Sequence, residues 1–225
     1  MNARGLVIQV HVLLSCGVTL TWLAALTAHV APWRRHHALI GRGFVALVVA
    51  SSVLAVGLAA DSRNRFGMLF ALQPLVLALS GAAQFLRSRR WMRTLGIVGL
   101  LVACGVLEGF ARLLATRLLV DVLAFAWTAS TLALLAAQDL RAKPSPAWRA
   151  HGHRMLAVGW FYLAELGIFV VDPHPSVIAW AAAAVLPAGA AWWMRWRPAR
   201  TGTETGTGTR TASLPLLSAW PVRRQ

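Results

Sequence analysis

Four ionisable residues interrupt long apolar stretches of this 225-residue sequence, namely His11, Glu108, Asp121 and Glu165. An ionisable side chain is costly among apolar neighbours, so it is expected to face another polar group, water or a bound ion. Imidazole and carboxyl groups that share such a site exchange protons or hold cations. The four residues therefore predict a proton relay or an ion site if the fold brings them together. The alternative is that they form polar contacts between helices.

The surroundings of Glu108 indicate close packing. This residue lies inside Gly105-Val106-Leu107-Glu108-Gly109, and glycines four residues apart let another helix approach closely. Packing within a bundle is the expected use of this pattern.

A second set of candidates is rich in histidine and lies at the edges of apolar runs: His29, His36, His37, His151 and His153. Histidine is a usual axial ligand of haem, and cofactor sites in bundles take their ligands from facing helices. His37 and His151 open different runs and are the candidate pair for haem b. His153 is a neighbouring donor, and Arg42 is placed to contact haem propionates. The alternatives are a small metal site, or histidines that bind lipid phosphate and water.

The composition indicates that these residues belong to a membrane-spanning bundle. Apolar residues of the AVILMFWYC set make up 58% of the sequence and charged residues only 13%, whereas about 25% of a soluble domain is charged. Only helices and closed barrels satisfy their backbone in hydrocarbon, and the period-two alternation of barrel strands is absent from this sequence. The fold class is therefore all-α membrane.

Seven apolar runs predict a bundle of about seven transmembrane helices, since about 20 helical residues cross a hydrocarbon core of roughly 30 Å. The runs are 6–31, 38–60, 67–87, 94–115, 117–138, 155–171 and 176–194. The sixth is short, so His153 or Arg154 is expected to reach toward the membrane surface to complete it. The fourth and fifth are joined by a very tight turn around Thr116 and Arg117.

The distribution of basic residues predicts the orientation. With these spans, 17 arginine and lysine residues fall on one side and five on the other. The richer side is expected to be cytoplasmic, which places the amino terminus outside and the carboxy terminus in the cytoplasm. His11, Glu108, Asp121 and Glu165 then share the outer half of the membrane, and the histidine-rich set lies on the cytoplasmic side.

The net charge of +15 is carried largely by the loops and by the carboxy-terminal segment. We expect it to meet anionic lipids on the cytoplasmic side, and we expect no nucleic-acid binding because no soluble domain is present to carry it. Residues 1–200 form the predicted transmembrane bundle. The threonine-glycine repeat that begins residues 201–225 predicts a flexible cytoplasmic tail.

Several motifs of known chemistry are absent from the sequence. The only lysine, Lys143, lies in a loop, whereas retinal proteins need one in the last helix. There is no P-loop, no HExxH and no CxxC motif. The two cysteines, Cys16 and Cys104, lie in apolar runs and do not form a disulfide framework. No enzyme class is indicated.

Helix-opening motifs give the sequence a resemblance to a family of uncharacterised bacterial multi-pass membrane proteins, a domain of unknown function. The family pattern has an early histidine, H-R-x-x-G-R at the second helix, G-F at the third and H-R-R-W-M at a later one. The similar residues here are His11, His37-Ala38-Leu39-Ile40-Gly41-Arg42, Phe66-Gly67 and His151-Gly152-His153-Arg154-Met155. The resemblance covers about residues 8–90 and 148–171, and it departs where Ala38 and Gly152 replace arginines. It implies a membrane bundle of four or more helices that distantly resembles bis-histidine haem proteins in architecture.

Two functions follow as expectations for a multi-pass protein of the bacterial cytoplasmic membrane. The first is binding of haem b and membrane electron transfer, with the histidine-rich set as ligands. The alternative is proton or ion handling by the outer carboxylates. A third possibility is a non-catalytic accessory subunit of a larger membrane complex.

Overall fold

The computed structural model describes residues 3–28, 33–86, 88–113, 119–141 and 146–166, and every regular element in those ranges is helical. This confirms the predicted all-α class. The elements are α1 (Ala3–Thr27), a 3₁₀ turn (Trp33–His36), α2 (His37–Asp61), α3 (Arg65–Leu86), α4 (Arg89–Leu113), α5 (Leu119–Leu140) and α6 (Ala147–Leu166).

Four of these helices are long and apolar enough to cross a membrane: α1, α2, α3, and α4 as far as Gly109. Each has 21 to 25 residues, about what a hydrocarbon core of roughly 30 Å requires. The chain is therefore a polytopic membrane protein. All six helices correspond to predicted apolar runs, whereas the seventh run, 176–194, and the tail, 201–225, lie outside the described residues.

The helices follow an up-and-down order in which sequence neighbours pack together. α1 packs on α2, α2 on α3, α3 on α4, and α4 on α5. α6 then returns to lie against α3 and α1, with a smaller contact to α5. α3 also contacts α5, so it touches four other helices, and it carries more buried residues than α1 or α2. It is the central helix of the bundle.

The up-and-down order gives the bundle two distinct ends. We call the first end the one that holds the start of α1, the end of α2 and the end of α6. The second end holds the starts of α2, α4 and α6, together with the ends of α3 and α5. Ionisable side chains of α6 lie near both ends.

The connection between α2 and α3 is set by local chemistry. Arg63 has a positive φ of 52°, which reverses the chain within a short turn. The Asn64 side chain then accepts a hydrogen bond of 2.9 Å from the backbone N–H of Gly67. This contact satisfies one of the N–H groups that have no carbonyl partner in the first turn of α3. A short connection of this kind makes α2 and α3 antiparallel neighbours.

Glycines let α6 approach its two neighbours closely. A side chain at Gly81 of α3 would overlap Met155 of α6, and a side chain at Gly159 of α6 would overlap the Trp22 ring of α1. Trp22 also packs against Trp160, with ring centroids 6.0 Å apart. These contacts hold α6 against α1 and α3, which decides what its polar side chains meet.

The GxxxG pattern of α4 serves helix packing, as its spacing predicts. Leu69 and Phe66 of α3 lie directly over Gly105 and Gly109. α4 and α5 are separate helices that pack against each other, and the predicted tight turn falls at residues 114–118, outside the described residues.

α6 begins at Ala147, eight residues before the predicted start of the sixth run at 155. The Pro146 carbonyl opens the helix by accepting backbone hydrogen bonds from Arg149 and Ala150. Of the two residues expected to reach toward the membrane surface, Arg154 does not, because it is 0% exposed, whereas His153 is partly exposed. The buried Asp139 carboxylate takes the place of the water that the Arg154 guanidinium loses.

Candidate functional site

His11 of α1 and Glu165 of α6 form a part-buried ion pair near the first end of the bundle. His11 Nε2 lies 3.5 Å from Glu165 Oε1, and the two side chains are only 16% and 21% exposed. The other ring nitrogen, Nδ1, lies 3.2 Å from the carbonyl oxygen of Ser51 on α2. Three helices therefore converge on one imidazole ring, and two of the four residues predicted as a proton or ion cluster are in contact.

The neighbours of His11 define where a proton resides. The Ser51 carbonyl only accepts hydrogen bonds, so a protonated His11 Nδ1 donates to it, whereas an unprotonated Nδ1 accepts from the Ser51 hydroxyl 3.1 Å away. The proton between His11 Nε2 and Glu165 Oε1 has two positions, on the ring or on the carboxyl group. The first gives an imidazolium with a carboxylate, and the second gives two neutral groups. These two states hold the same number of protons. Uptake of one proton gives an imidazolium beside a neutral carboxyl group, and release of one gives a neutral imidazole beside a carboxylate.

Hydroxyl groups surround this pair. Ser51 Oγ lies 3.1 Å from His11 Nδ1 and 3.1 Å from Ser15 Oγ on α1. One residue further along α2, Ser52 Oγ lies 3.3 Å from the phenol oxygen of Tyr162, which donates to the Val48 carbonyl at 3.4 Å. Ser15, Ser51 and Ser52 are all buried. They supply polar contacts that water would otherwise provide.

A cavity of about 280 Å³ adjoins the ion pair. Its polar side is formed by His11, Ser52, Tyr162 and Glu165, and it extends to Arg4 and Ser62 near the first end. Apolar residues of α2, α3 and α6 form the other walls. Since Ser62 is exposed at the end of the bundle, the cavity connects the pair with the surroundings of the first end.

The other two members of the predicted cluster lie on different helices. Glu108 is exposed on α4, which packs against α3 and α5, and it is not part of the cavity wall. Asp121 belongs to the first turn of α5. Among the side chains that the structure describes, Glu165 is the predicted carboxylate that contacts His11.

The predicted haem ligands lie together at the second end of the bundle. His151 Nδ1 is 3.0 Å from the Gly81 carbonyl oxygen, and its ring packs on Phe85 with centroids 4.7 Å apart. His37 Nδ1 is 3.2 Å from the Ala25 carbonyl oxygen. The two residues open different helices, α2 and α6, at the same end of the bundle. A backbone carbonyl at Nδ1 fixes the tautomer and directs Nε2 to the opposite edge of the ring, as in many ligating histidines.

The other predicted cofactor residues, His153 and Arg42, do not share the positions of His37 and His151. His153 is two positions from His151 on one helix, so the two rings leave α6 in different directions. Arg42 is exposed, five positions after His37 on α2. His29 lies outside the described residues.

A second buried ion pair joins α6 to α5 at the second end. Arg154 Nη2 lies 2.6 Å from Asp139 Oδ1, with side-chain exposures of 1% and 4%. The Arg154 guanidinium also donates to Ser80 Oγ at 3.0 Å and to the Leu135 carbonyl at 3.0 Å. Gln84 donates to the same Asp139 oxygen at 2.9 Å. Three helices therefore share one charge-assisted network.

Sequence reasoning missed this network, although a signal for it exists. Ser80 and Gln84 are four positions apart and share one face of α3, as do His151, Arg154 and Tyr162 on α6. Polar residues that repeat with the helical period indicate an inward polar face in a membrane helix. Hydropathy alone places Asp139 and Arg154 at the edges of separate runs, where each looks solvated.

Among the described residues, no three His, Cys, Asp or Glu side chains come close enough together to hold a metal ion. Comparison of the sequence with protein-family models and with curated proteins, and of the fold with solved structures, gives no match.

The network around Arg154 makes a prediction for stability. Asp139→Asn leaves a buried guanidinium without its counter-charge, so we expect the free energy of unfolding to fall by about 3–5 kcal/mol. An Asp139→Leu/Arg154→Met double variant removes both charges and is expected to recover most of that loss. Thermal unfolding of the detergent-solubilised protein measures both effects.

The exposed pair Arg4–Asp61 provides the matched control. Its atoms are 3.9 Å apart and its side chains are 58% and 66% exposed, so Asp61→Asn is expected to change stability by less than about 1 kcal/mol. Equal losses in Asp61→Asn and Asp139→Asn would contradict a special role for the buried pair.

Proposed function

We propose that this polytopic membrane protein handles protons at the His11–Glu165 pair. The observation that carries the proposal is the 3.5 Å contact between His11 Nε2 and Glu165 Oε1 beside an accessible cavity. A carboxyl and an imidazole that share one proton form a proton-exchanging unit, and charged groups kept inside membrane helices commonly serve such a purpose. The buried hydroxyls support this reading because Ser51 Oγ, itself in contact with Ser15 Oγ, lies within hydrogen-bond distance of the His11 ring.

The orientation is part of the proposal. The described second end carries exposed basic residues that match the positive-inside pattern, among them Arg35, Arg42, Arg89, Arg90 and Arg93. We therefore assign the second end to the cytoplasm, where these arginines meet anionic lipid headgroups, and the first end to the outside. The bacterial cytoplasmic membrane is the proposed location, on the resemblance of the helix-opening motifs. The His11–Glu165 pair then exchanges protons with the outer surface.

The exchange requires no movement of the helices. A proton that enters the cavity from the first end reaches Glu165 or His11 directly, because both side chains form part of its wall. Tyr162 and Ser52 are placed to contact water in the same space. Release follows the same route in reverse.

Infrared difference spectroscopy of the reconstituted protein tests the proton exchange. On acidification, a protonated-carboxyl band of Glu165 is expected to appear, and it should be missing in Glu165→Gln because an amide carries no titratable proton. In His11→Gln, the band is expected at a different pH because the imidazole no longer shares the proton. Glu108→Gln is the matched control and should retain the Glu165 band. Identical spectra for wild type and Glu165→Gln would contradict the proposal.

Cysteine labelling tests the orientation. In a chain with Cys16 and Cys104 replaced by serine, Ser62→Cys is expected to react with a membrane-impermeant maleimide added outside intact cells. Ser88→Cys, at the other end of α3, is expected to react only after the membrane is opened. The reverse pattern would place the second end outside and remove the case for outward proton exchange.

A second candidate function is binding of haem b between α2 and α6. The observation in its favour is that His37 and His151, at one end of the bundle, each use Nδ1 for a backbone carbonyl. Two imidazoles on different helices fit the donor set of a bis-histidine site, and haem bound there would supply one-electron chemistry. His37 and His151 would hold the group.

Absorbance spectroscopy tests this candidate. If His37 and His151 are axial ligands, the reduced protein from haem-replete cells should show sharp b-type bands that vanish in His37→Ala or His151→Ala. His153→Ala is the control, because that ring leaves α6 in another direction and should leave the bands intact. A colourless wild-type preparation would rule out haem binding at this pair.

A further inference from the structure

The cavity beside the ion pair combines a carboxylate with aromatic walls. Glu165 provides the acidic group, and Phe70, Phe161 and Tyr162 provide rings that line the same space. The Phe70 and Phe161 centroids are 4.7 Å apart with an interplanar angle of 40°, so the two rings form one continuous tilted surface. Carboxylates and ring faces both attract cations, and the rings favour cations that carry alkyl groups.

We propose that this cavity binds a small organic cation, an amine or a quaternary ammonium ion, at the Glu165 carboxylate in exchange for a proton. This inference rests on the proposed proton exchange at His11 and Glu165, and it names the class of substrate that the same site takes. The cavity volume of about 280 Å³ lies at the lower end of ligand pockets, which span about 300–1,000 Å³, so the ion is small.

The charges that face the pair favour a cation once His11 is neutral. Arg4 of α1 and Asp61 of α2 lie 3.9 Å apart at the rim, and their charges offset each other. Ser51 and Ser52 of α2 and Tyr162 of α6 face the pair as neutral hydroxyls. The residues that α3 adds to the cavity wall are Gly67, Phe70, Ala71 and Pro74, all uncharged. Glu165 and His11 therefore set the charge of the site between them.

In the imidazolium–carboxylate form of the pair, His11 is the cation that lies against Glu165. An incoming organic cation takes its place against Glu165, and His11 Nε2 gives its proton to water in the cavity. Total charge is conserved, because one cation enters the site as one proton leaves it. The Ser51 carbonyl keeps its hydrogen bond from Nδ1 throughout, so the ring stays in position as a neutral imidazole.

Competition between a proton and an organic cation makes binding of the organic cation depend on pH. Acid favours the imidazolium and expels the bound ion, whereas a rise in pH favours binding. Because Glu165 and His11 share the cavity wall, the imidazolium and the organic cation compete for the single negative charge of Glu165. This is the minimal arrangement for coupling the movement of a cation to that of a proton.

Isothermal titration calorimetry of the full chain in detergent, with tetraethylammonium chloride, tests the inference. Wild type is expected to bind more tightly at about pH 8 than at about pH 6, on either side of the usual histidine range. Two buffers of different ionisation enthalpy should report proton release at the lower pH. Glu165→Gln should weaken binding at least about tenfold, because a charge-assisted contact is lost.

Further variants separate the roles of the residues. His11→Gln should keep binding but lose its pH dependence and its proton release. Phe161→Leu should weaken binding several-fold through loss of a ring face, and Glu108→Gln should bind as wild type does. Glu165→Asp keeps a carboxylate and should retain part of the affinity, which guards against misfolding as the cause of loss in Glu165→Gln.

Failure of this inference is distinguishable from failure of the proposed function. If wild type binds no tetraethylammonium, or if Glu165→Gln binds it equally well, the organic-cation site is overturned. The infrared band of Glu165 would still report proton exchange in that case. If the band itself is missing, the proton function fails together with the exchange that depends on it.

Discussion

The two ends of α6 each carry a charge into the interior of the bundle, and the surrounding helices replace the water that those charges lose. The Arg154 guanidinium donates hydrogen bonds to Asp139, Ser80 and two backbone carbonyls, and the residue has no exposed surface. Glu165 pairs with His11, and the His11 ring in turn contacts the Ser51 carbonyl. An unpaired charge would be costly at either place. The positions of α1, α3 and α5 around α6 are the ones that meet this requirement.

Close packing makes these contacts possible. Gly81 and Gly159 have no side chains, so α6 approaches α3 and α1 closely at these positions. The absence of a side chain at Gly81 also lets the Gly81 carbonyl oxygen lie 3.0 Å from His151 Nδ1. Polar contacts between membrane helices need such proximity, because hydrocarbon around the bundle gives no drive to bring apolar faces together. The glycines and the polar residues of α6 therefore act as one unit.

The two ion pairs differ in a way that separates structure from chemistry. Arg154 and Asp139 are enclosed, and the guanidinium is bonded on several sides, so this pair ties α3, α5 and α6 together. His11 and Glu165 retain some exposure, make a longer contact and adjoin a cavity. A proton or a small cation has access to the His11–Glu165 pair, whose imidazole and carboxyl groups titrate more readily than arginine does. The first end of the bundle is thus where exchange chemistry is expected.

The sequence by itself determined the all-α membrane class, because long apolar runs with few charges have no other stable arrangement in hydrocarbon. It also singled out His11 and Glu165, since each is costly among apolar neighbours. The choice of partner was decided only by tertiary structure. Periodicity describes the faces of a helix but not which helix lies opposite, so it could not choose between the two deeper carboxylates, Glu108 and Glu165, as the partner of His11. Arg154 was misjudged for the same reason: its solvation depends on Asp139, which lies 15 residues earlier, on a helix whose position against α6 no local pattern specifies.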